Sequence, residues 1–140
     1  MIVNAPPWKI EWSDELSMLN PEIDDQHKNF VKLINDLNAE IMDVQGDKAV
    51  IQHKMRLVLD DAIVHFRHEE RLMAEKAYPD AEEHTLIHSK LIDEFNQAQE
   101  DIQGSDIRAV WVKMGMHIKD KLVSHLLNED SRYIEYLRVK

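Results

Sequence analysis

The stretch HFRHEE, residues 65–70, lies inside a long segment of helical periodicity, and HTLIH follows at residues 84–88. His65 and Glu69 are four residues apart, as are His84 and His88, and this spacing places both members of each pair on one face of a helix. An imidazole or a carboxylate on an inward face is costly unless it has a partner. The two stretches therefore predict helices whose buried faces carry polar groups with something to bind.

Working outward from these stretches, the chain divides into helical segments separated by short breaks. The predicted helices run from Asn20-Pro21 to about Val44, from about Lys48 to Lys76, from Pro79-Asp80 to just before Gly104, and from near Ser105 to at least Ser124. Short connections between long helices imply antiparallel neighbours, so the predicted fold is an all-α, up-down-up-down four-helix bundle. Residues 1–140 are expected to form a single domain, with residues 1–19 as an irregular N-terminal arm and residues 20–140 as the bundle and a C-terminal tail. Trp8, Ile10 and Trp12 are available to pack the arm against the bundle.

Composition narrows the classes of function. The chain has 140 residues, a formal net charge of −10, no cysteine, and no basic patch. Nucleic acid and anionic membranes are therefore not expected as partners, and disulfides, iron–sulfur clusters and thiolate metal sites are excluded. The N-terminus shows no signal peptide, and the absence of a long apolar run argues against a membrane-spanning helix, so we expect a cytoplasmic location. A protein partner is left open.

Each predicted helix has an apolar stripe that includes at least one histidine. The apolar residues are Phe30, Val31, Ile34, Leu37 and Ile41 in the first helix, Ile51, Met55, Val58, Ala62 and Met73 in the second, Leu91, Phe95, Ala98 and Ile102 in the third, and Ile107, Trp111, Met114, Ile118 and Leu122 in the fourth. The polar residues on the same stripes are His27, His65, Glu69, His84, His88 and His125. In an antiparallel bundle all of them lie at the same end. The other histidines point away from the stripes: His53 to the surface, and His68 and His117 to the flanks.

Such a cluster predicts a metal site. An apolar bundle core offers few partners for several neutral imidazoles, whereas a cation satisfies them all through nitrogen lone pairs. Five histidines exceed the demand of one tetrahedral ion, so two ions of iron, manganese or zinc are expected. Carboxylates usually bridge such a pair, and Glu69 is one candidate. For the second, helical periodicity favours Glu129, four residues after His125, because Asp130 at the fifth position needs a widened or terminated turn.

The chain resembles the hemerythrin family, specifically its bacterial single-domain members. The resemblance is carried by Trp12 and IDDQH (residues 23–27), HFRHEERLM (65–73), YPDAEEHTLIH (78–88) and HLLNEDSRY (125–133). It implies the same four-helix bundle and a non-heme centre of two iron ions with an oxo or hydroxo bridge. One iron would be bound by His84, His88 and His125, and the other by His27 and His65. Glu69 and Asp130 would bridge the two ions, so the resemblance selects Asp130 over Glu129.

The resemblance also implies the function. Two histidines and the bridges leave an open position on one iron, where dioxygen would bind reversibly for storage, delivery or sensing. The alternative is a di-iron enzyme acting on peroxide or nitric oxide at the same position, but no residue is clearly committed as an acid or base, so we do not predict an enzyme. Phe66, Ile118 and Leu122 are predicted as walls of the ligand pocket, with Tyr133 nearby. Ferritin-like proteins, which place Glu three residues before His, are excluded because no histidine here has Glu at that offset.

Overall fold

A computed structural model describes residues 6–129, 132 and 134–137 of the chain. Its helices are α1 (Pro21–Met42), α2 (Lys48–Glu75), α3 (Ala81–Gln103) and α4 (Arg108–Ser124), followed by a π-helical turn (His125–Glu129) and a short α5 (Ile134–Leu137). Helix α1 packs on α2, α2 on α3, α3 on α4, and α4 closes the ring on α1. The predicted all-α four-helix bundle is confirmed. No helix in the described part of the chain has the length and hydropathy needed to cross a bilayer.

The start of α1 follows the sequence signals closely. The side chain of Asn20 accepts hydrogen bonds from the backbone N–H groups of Glu22 and Ile23 at 3.1 and 3.2 Å. Pro21 occupies the first helical position, where a missing N–H costs nothing. The carboxylate of Asp24 bonds to the segment that precedes the helix. It accepts hydrogen bonds from the Ser17 hydroxyl at 2.6 Å and from the Met18 N–H at 2.7 Å. These bonds fix the direction in which the arm enters the bundle.

Helix α2 ends in a left-handed residue that is not glycine. Ala77 has φ 53°, and the N–H of Tyr78 donates back to the carbonyl of Met73 at 3.0 Å. This six-residue closure usually uses glycine at the left-handed position. The turn reverses the chain into α3, which begins at Ala81 after the cap residue Asp80.

The apolar stripes predicted for α1, α2 and α3 are all buried. The stripe predicted for α4 is partly wrong. Ile107 is 63% exposed, because it precedes the helix and serves as its N-terminal cap residue. Met114 is only half-buried, while Gly115 is buried. The inward line of α4 therefore runs through Trp111, Gly115, Ile118 and Leu122.

Two asparagines of α1 hold the N-terminal arm. Asn35 accepts a hydrogen bond from the Ile10 N–H at 2.7 Å and donates to the Ile10 carbonyl at 2.9 Å. Asn38 is 2% exposed and donates to the carbonyls of Trp8 and Gly115 at 3.2 and 3.3 Å. The predicted packing of the arm is confirmed for Ile10, which is buried, and for Trp12, which is partly buried against the core.

The end of α1 is held by a side chain from α4. The guanidinium of Arg108 donates to the carbonyls of Ile41, Asp43, Val44 and Gly46. Carbonyls in the last turn of a helix, such as that of Ile41, lack an intrahelical partner, and a cation at a helix C-terminus also interacts favourably with the helix dipole. Arg108 thus joins α1 and α4 at the end of the bundle that is farthest from His27 and His125.

Candidate metal centre

The polar residues predicted to face inward are buried at one end of the bundle. Each is at most 4% exposed: His27, His65, Glu69, His84, His88 and His125. Within the described residues they form two groups, one of His84, His88 and His125 and one of His27, His65 and Glu69, and in each group the possible ligand atoms lie within 4.8 Å of one another. The same division into groups follows from the family resemblance.

The three-histidine group joins α3 to the end of α4. The Nε2 atoms of His88 and His125 face each other at 3.2 Å. Two nitrogens bound at right angles to one ion, each about 2.1 Å from it, would be about 3 Å apart. The His84 ring lies edge-on to the His88 ring, with centroids 4.5 Å apart and planes at 84°. The rings are therefore arranged to point nitrogen atoms at a common centre.

The second group joins α1 to α2. Glu69 Oε1 lies 3.0 Å from His65 Nε2 and 3.6 Å from His27 Nε2. Burial alone would raise the pKa of the Glu69 carboxyl, but the charge of His65 and hydrogen bonds from both histidines outweigh burial and hold that pKa well below its usual range. The carboxylate is thus kept ionised in a place where only cationic or donor groups stabilise it.

Phe66 lies between the two groups. Its ring stacks on the His88 ring, approaches the His125 ring at 5.7 Å between centroids, and lies 5.9 Å from the ring of its neighbour His65. The side chain is 1% exposed. Phe66 thus contacts histidines of both groups, and its predicted role as a wall of the ligand pocket stays a prediction.

Two polar residues behind the histidines were not predicted. Gln26 Oε1 accepts from His65 Nδ1 at 2.9 Å, and Glu70 Oε2 accepts from His88 Nδ1 at 3.1 Å. Metal-binding histidines commonly donate their second ring N–H to such an acceptor. Gln26 directly precedes His27 and Glu70 directly follows Glu69, but adjacency in the sequence does not distinguish this role from a place on the surface.

The chain after His125 widens into the π-helical turn His125–Glu129. A π turn is the local geometry that brings the fifth following residue over the first, as the choice of Asp130 requires. Asp130 and Tyr133 themselves lie outside the described residues, and so does the side chain of Glu129. The second bridging carboxylate therefore stays a prediction.

The predicted role of Ile118 and Leu122 as walls of a ligand pocket stays a prediction. Ile118 and Leu122 are at most 1% exposed and belong to the same apolar core as Phe66. His53 and His117 are exposed, and His117 lines a cavity of about 500 Å³ between α3 and α4. His68 is half-buried, and its Nδ1 donates to Gln26 Oε1 at 3.0 Å. A flank position for His68 is confirmed, although the sequence did not indicate its link to the centre.

A cavity of about 280 Å³ approaches the two-histidine group from outside. Its walls come from α1 and α2 and include His65, Gln26, His68, Val64 and Asp61. Burial raises the pKa of Asp61, against the opposing charge of His65 and a hydrogen bond from Asn29. The cavity brings solvent close to the outer edge of His65 and not to the Nε2 edge that faces Glu69.

The donor set fits a pair of transition-metal ions. Five imidazoles and a carboxylate without sulfur are the ligands that iron, manganese and zinc accept. Outward Nδ1–H bonds on His65 and His88 leave their Nε2 atoms directed inward, where each would bind an ion after losing any proton it carries. The residues present therefore fit the implied di-iron group.

Comparisons with known proteins point to one family. Residues 18–137 match the Hemerythrin HHE cation binding domain. The chain is 30% identical over 135 residues to a bacteriohemerythrin of Pseudomonas aeruginosa, covering 91% of this chain and 80% of that protein. A Campylobacter jejuni bacteriohemerythrin is 29% identical over 132 residues, with 89% and 92% covered. A crystal structure of wild-type hemerythrin superposes with a TM-score of 0.81 at 24% identity, covering 93% of this chain and 98% of that chain, and supports the fold.

Proposed function

Because the chain belongs to the hemerythrin family, we propose that it binds dioxygen reversibly at a pair of iron ions held in the bundle. His84, His88 and His125 would hold one ion, His27 and His65 the other, and Glu69 and Asp130 would bridge them with an oxo or hydroxo group. The observation that carries this proposal is the burial of two adjacent donor groups, one with three histidines and the other with two histidines and a carboxylate. When bound, the iron pair would supply the electrons that hold dioxygen.

The unequal number of histidines supports binding at one ion in particular. The group on α1 and α2 provides one imidazole fewer than the group on α3 and α4. If Glu69 and Asp130 served both ions equally, the ion at His27 and His65 would have fewer protein ligands and so an open position. Dioxygen would therefore bind on the α1 and α2 side of the centre.

Apolar residues near the histidines would help to keep water out of the centre. Phe66, Ile118 and Leu122 are all almost completely buried. A dry pocket favours release of dioxygen as such, because water and protons promote its departure in reduced form and leave oxidised iron behind. The chain's own contribution is thus to hold the ions, to fix the ring orientations, and to keep solvent away.

The balance of ligands favours binding over oxidation chemistry. Neutral imidazoles outnumber carboxylates in the described part of the centre, and anionic ligands are the ones that stabilise highly oxidised iron. The members of this family are dioxygen-binding proteins, so we do not propose an enzyme. A peroxide- or nitric-oxide-handling activity is the competing function that the experiment must distinguish.

The test is iron quantitation combined with absorption spectra. Protein produced with ample iron is expected to contain two ions per chain and to show an oxygenated spectrum that disappears under inert gas and returns in air. His84→Ala should lower the iron content and abolish the reversible change, whereas the exposed His53→Ala should alter neither. A chain with fewer than two ions, or rapid consumption of peroxide without a stable oxygenated spectrum, would contradict the proposal.

A further inference from the structure

One histidine in each donor group donates its outer N–H to a hydrogen-bond acceptor, and the two acceptors differ in charge. On the α1 and α2 side, the amide of Gln26 receives the Nδ1–H of His65 at 2.9 Å. On the α3 and α4 side, the carboxylate of Glu70 receives the Nδ1–H of His88 at 3.1 Å. We propose that Gln26 and Glu70 are positioning residues, one for each half of the centre, and that their difference in charge makes the two halves hold metal unequally. This inference rests on the proposed two-ion centre.

Each acceptor selects one tautomer of its histidine. A neutral imidazole carries its proton on one nitrogen only, and the hydrogen bond made by that nitrogen decides which one it is. With Nδ1–H directed outward, Nε2 of His65 faces Glu69 and Nε2 of His88 faces His125, so a bound ion would take the place of any proton on these inner nitrogens. Removal of either acceptor would free the ring to rotate or to change tautomer.

The difference in charge acts on the strength of each donor. A carboxylate that accepts an imidazole N–H raises the basicity of the ring and strengthens its bond to a metal. The other oxygen of Glu70, Oε1, accepts a hydrogen bond from the Arg67 guanidinium at 2.9 Å, so Oε2 remains directed at His88. Arg67 is 55% exposed at its side chain, and solvent weakens its effect on the carboxylate. The neutral amide of Gln26 gives His65 no comparable support.

Gln26 is itself held by a histidine that takes no part in either group. His68 Nδ1 lies 3.0 Å from the same amide oxygen that receives His65. An amide oxygen has two lone pairs and can accept both N–H groups. The imidazole of His68 also lies near Glu22, with Nε2 3.5 Å from the carboxylate. His68 therefore orients Gln26, and Gln26 orients His65.

Cobalt(II) binding to the metal-free protein tests the inference without any dioxygen. We would measure two dissociation constants by competition with a coloured chelator, and the cobalt absorption bands of each step. His27→Ala and His84→Ala assign each step to its half of the centre. Gln26→Met is expected to weaken only the His27 step, and Glu70→Met only the His84 step, each by about 10–100-fold.

The near-isosteric exchanges test the role of charge. Gln26→Glu should tighten the His27 step and shift its absorption band, because a carboxylate would then support His65. Glu70→Gln should weaken the His84 step by less than Glu70→Met does, since an acceptor remains. A merely structural role would predict no such opposite effects from two changes of similar size.

Matched controls are present on the same molecule. Gln97→Met and Glu75→Gln make the same chemical changes at exposed positions on α3 and α2 and should leave both steps unchanged. Equal cobalt affinities in all four Gln26 and Glu70 variants, or changes that spread over both steps alike, would overturn the inference while two bound ions upheld the proposed function. Fewer than two cobalt ions on the unaltered protein would overturn both.

Discussion

Phe66 lies flat on His88, with ring centroids 4.1 Å apart and 7° between the ring planes. Since Phe66 directly follows His65 in α2, one turn of that helix delivers a histidine to one group and an aromatic wall to the other. A stacked phenyl ring leaves no room for water on that face of the imidazole. The dryness of the site and the orientation of His88 therefore depend on the same side chain.

Replacement of Phe66 should separate its packing role from its role at the centre. Phe66→Leu is expected to lower the free energy of unfolding by about 1–3 kcal/mol and to speed oxidation of the oxygenated protein, because the stacked face becomes accessible. Phe95→Leu is the control, since Phe95 is equally buried and packs against Phe30. Thermal unfolding and the decay of the oxygenated spectrum measure the two effects. Equal decay rates in both variants would contradict a specific role for Phe66.

The π-helical turn predicts which carboxylate after His125 bridges the ions. Asp130→Asn should reduce the bound iron below two ions per chain, whereas Glu129→Gln should leave it at two, because a widened turn places the fifth residue over the first. Iron content and the absorption spectrum are the measurements. The opposite result would show that helical periodicity had identified the correct residue.

Gly115 is required by the buried amide of Asn38. A Cβ at this position would lie 2.1 Å from Asn38 Oδ1, so Gly115→Ala should force α1 and α4 apart and destabilise the fold by about 1–3 kcal/mol. Gly104→Ala is the comparison, because the nearest atom to its Cβ would be the Glu100 carbonyl at 3.2 Å. Urea unfolding of both variants would measure the difference, and similar midpoints would count against the clash.

Ala77 offers a stabilising substitution. Its φ of 53° costs an L-residue about 1–2 kcal/mol relative to the right-handed region. Ala77→Gly is expected to recover up to about 1 kcal/mol of this, net of the greater freedom of glycine in the unfolded chain. Ala74→Gly, in the last regular turn of α2, should instead destabilise the protein. A loss of stability in the Ala77 variant would mean that the left-handed turn is not maintained in solution.

Asp61 should make stability depend on pH. Its pKa is raised chiefly by burial, so the folded state prefers the protonated form. That contribution to stability is complete below the unfolded pKa of about 3.9 and is lost as the pH rises through the folded pKa. Asp61→Asn cannot ionise and should therefore gain stability over the unaltered protein at pH 7, with the gain disappearing towards pH 3.

Urea unfolding of the metal-free protein at several pH values measures this effect. Asp60→Asn is the control, because its carboxylate is 63% exposed and should show little pH-dependent difference. A constant difference between the Asp61 variant and the unaltered protein at all pH values would be inconsistent with a raised pKa.

Much of the fold could be predicted because the helical signals are local. The period of the apolar stripes, the cap at Asn20 and the glycine at 104 act over a few residues and set helix extent. The inward register of His65 and His88 follows from the same period, so their burial could be foreseen. Ile107 was placed wrongly because the start of α4 differs by a few residues from the predicted one, and a residue just before a helix need not follow its stripe.

The parts that could not be predicted depend on contacts between helices. Gln26 and Glu70 lie at the edge of the apolar stripes of their helices, where a polar side chain is equally consistent with a place on the surface. Their role appears only when α1 and α2, or α2 and α3, are placed side by side. The π-helical turn after His125 could not be predicted from local helix propensity either. It is this turn that favours Asp130 over Glu129 as the bridging residue.

The hydrogen bonds of Arg108 to the end of α1 bear on how the protein behaves without iron. The guanidinium ties α1 to α4 without help from any ion, and the apolar core continues from there towards the histidines. We therefore expect the metal-free protein to keep its four-helix fold, so that iron enters a site that is already formed. Iron could then be removed and added back repeatedly without unfolding of the helix bundle.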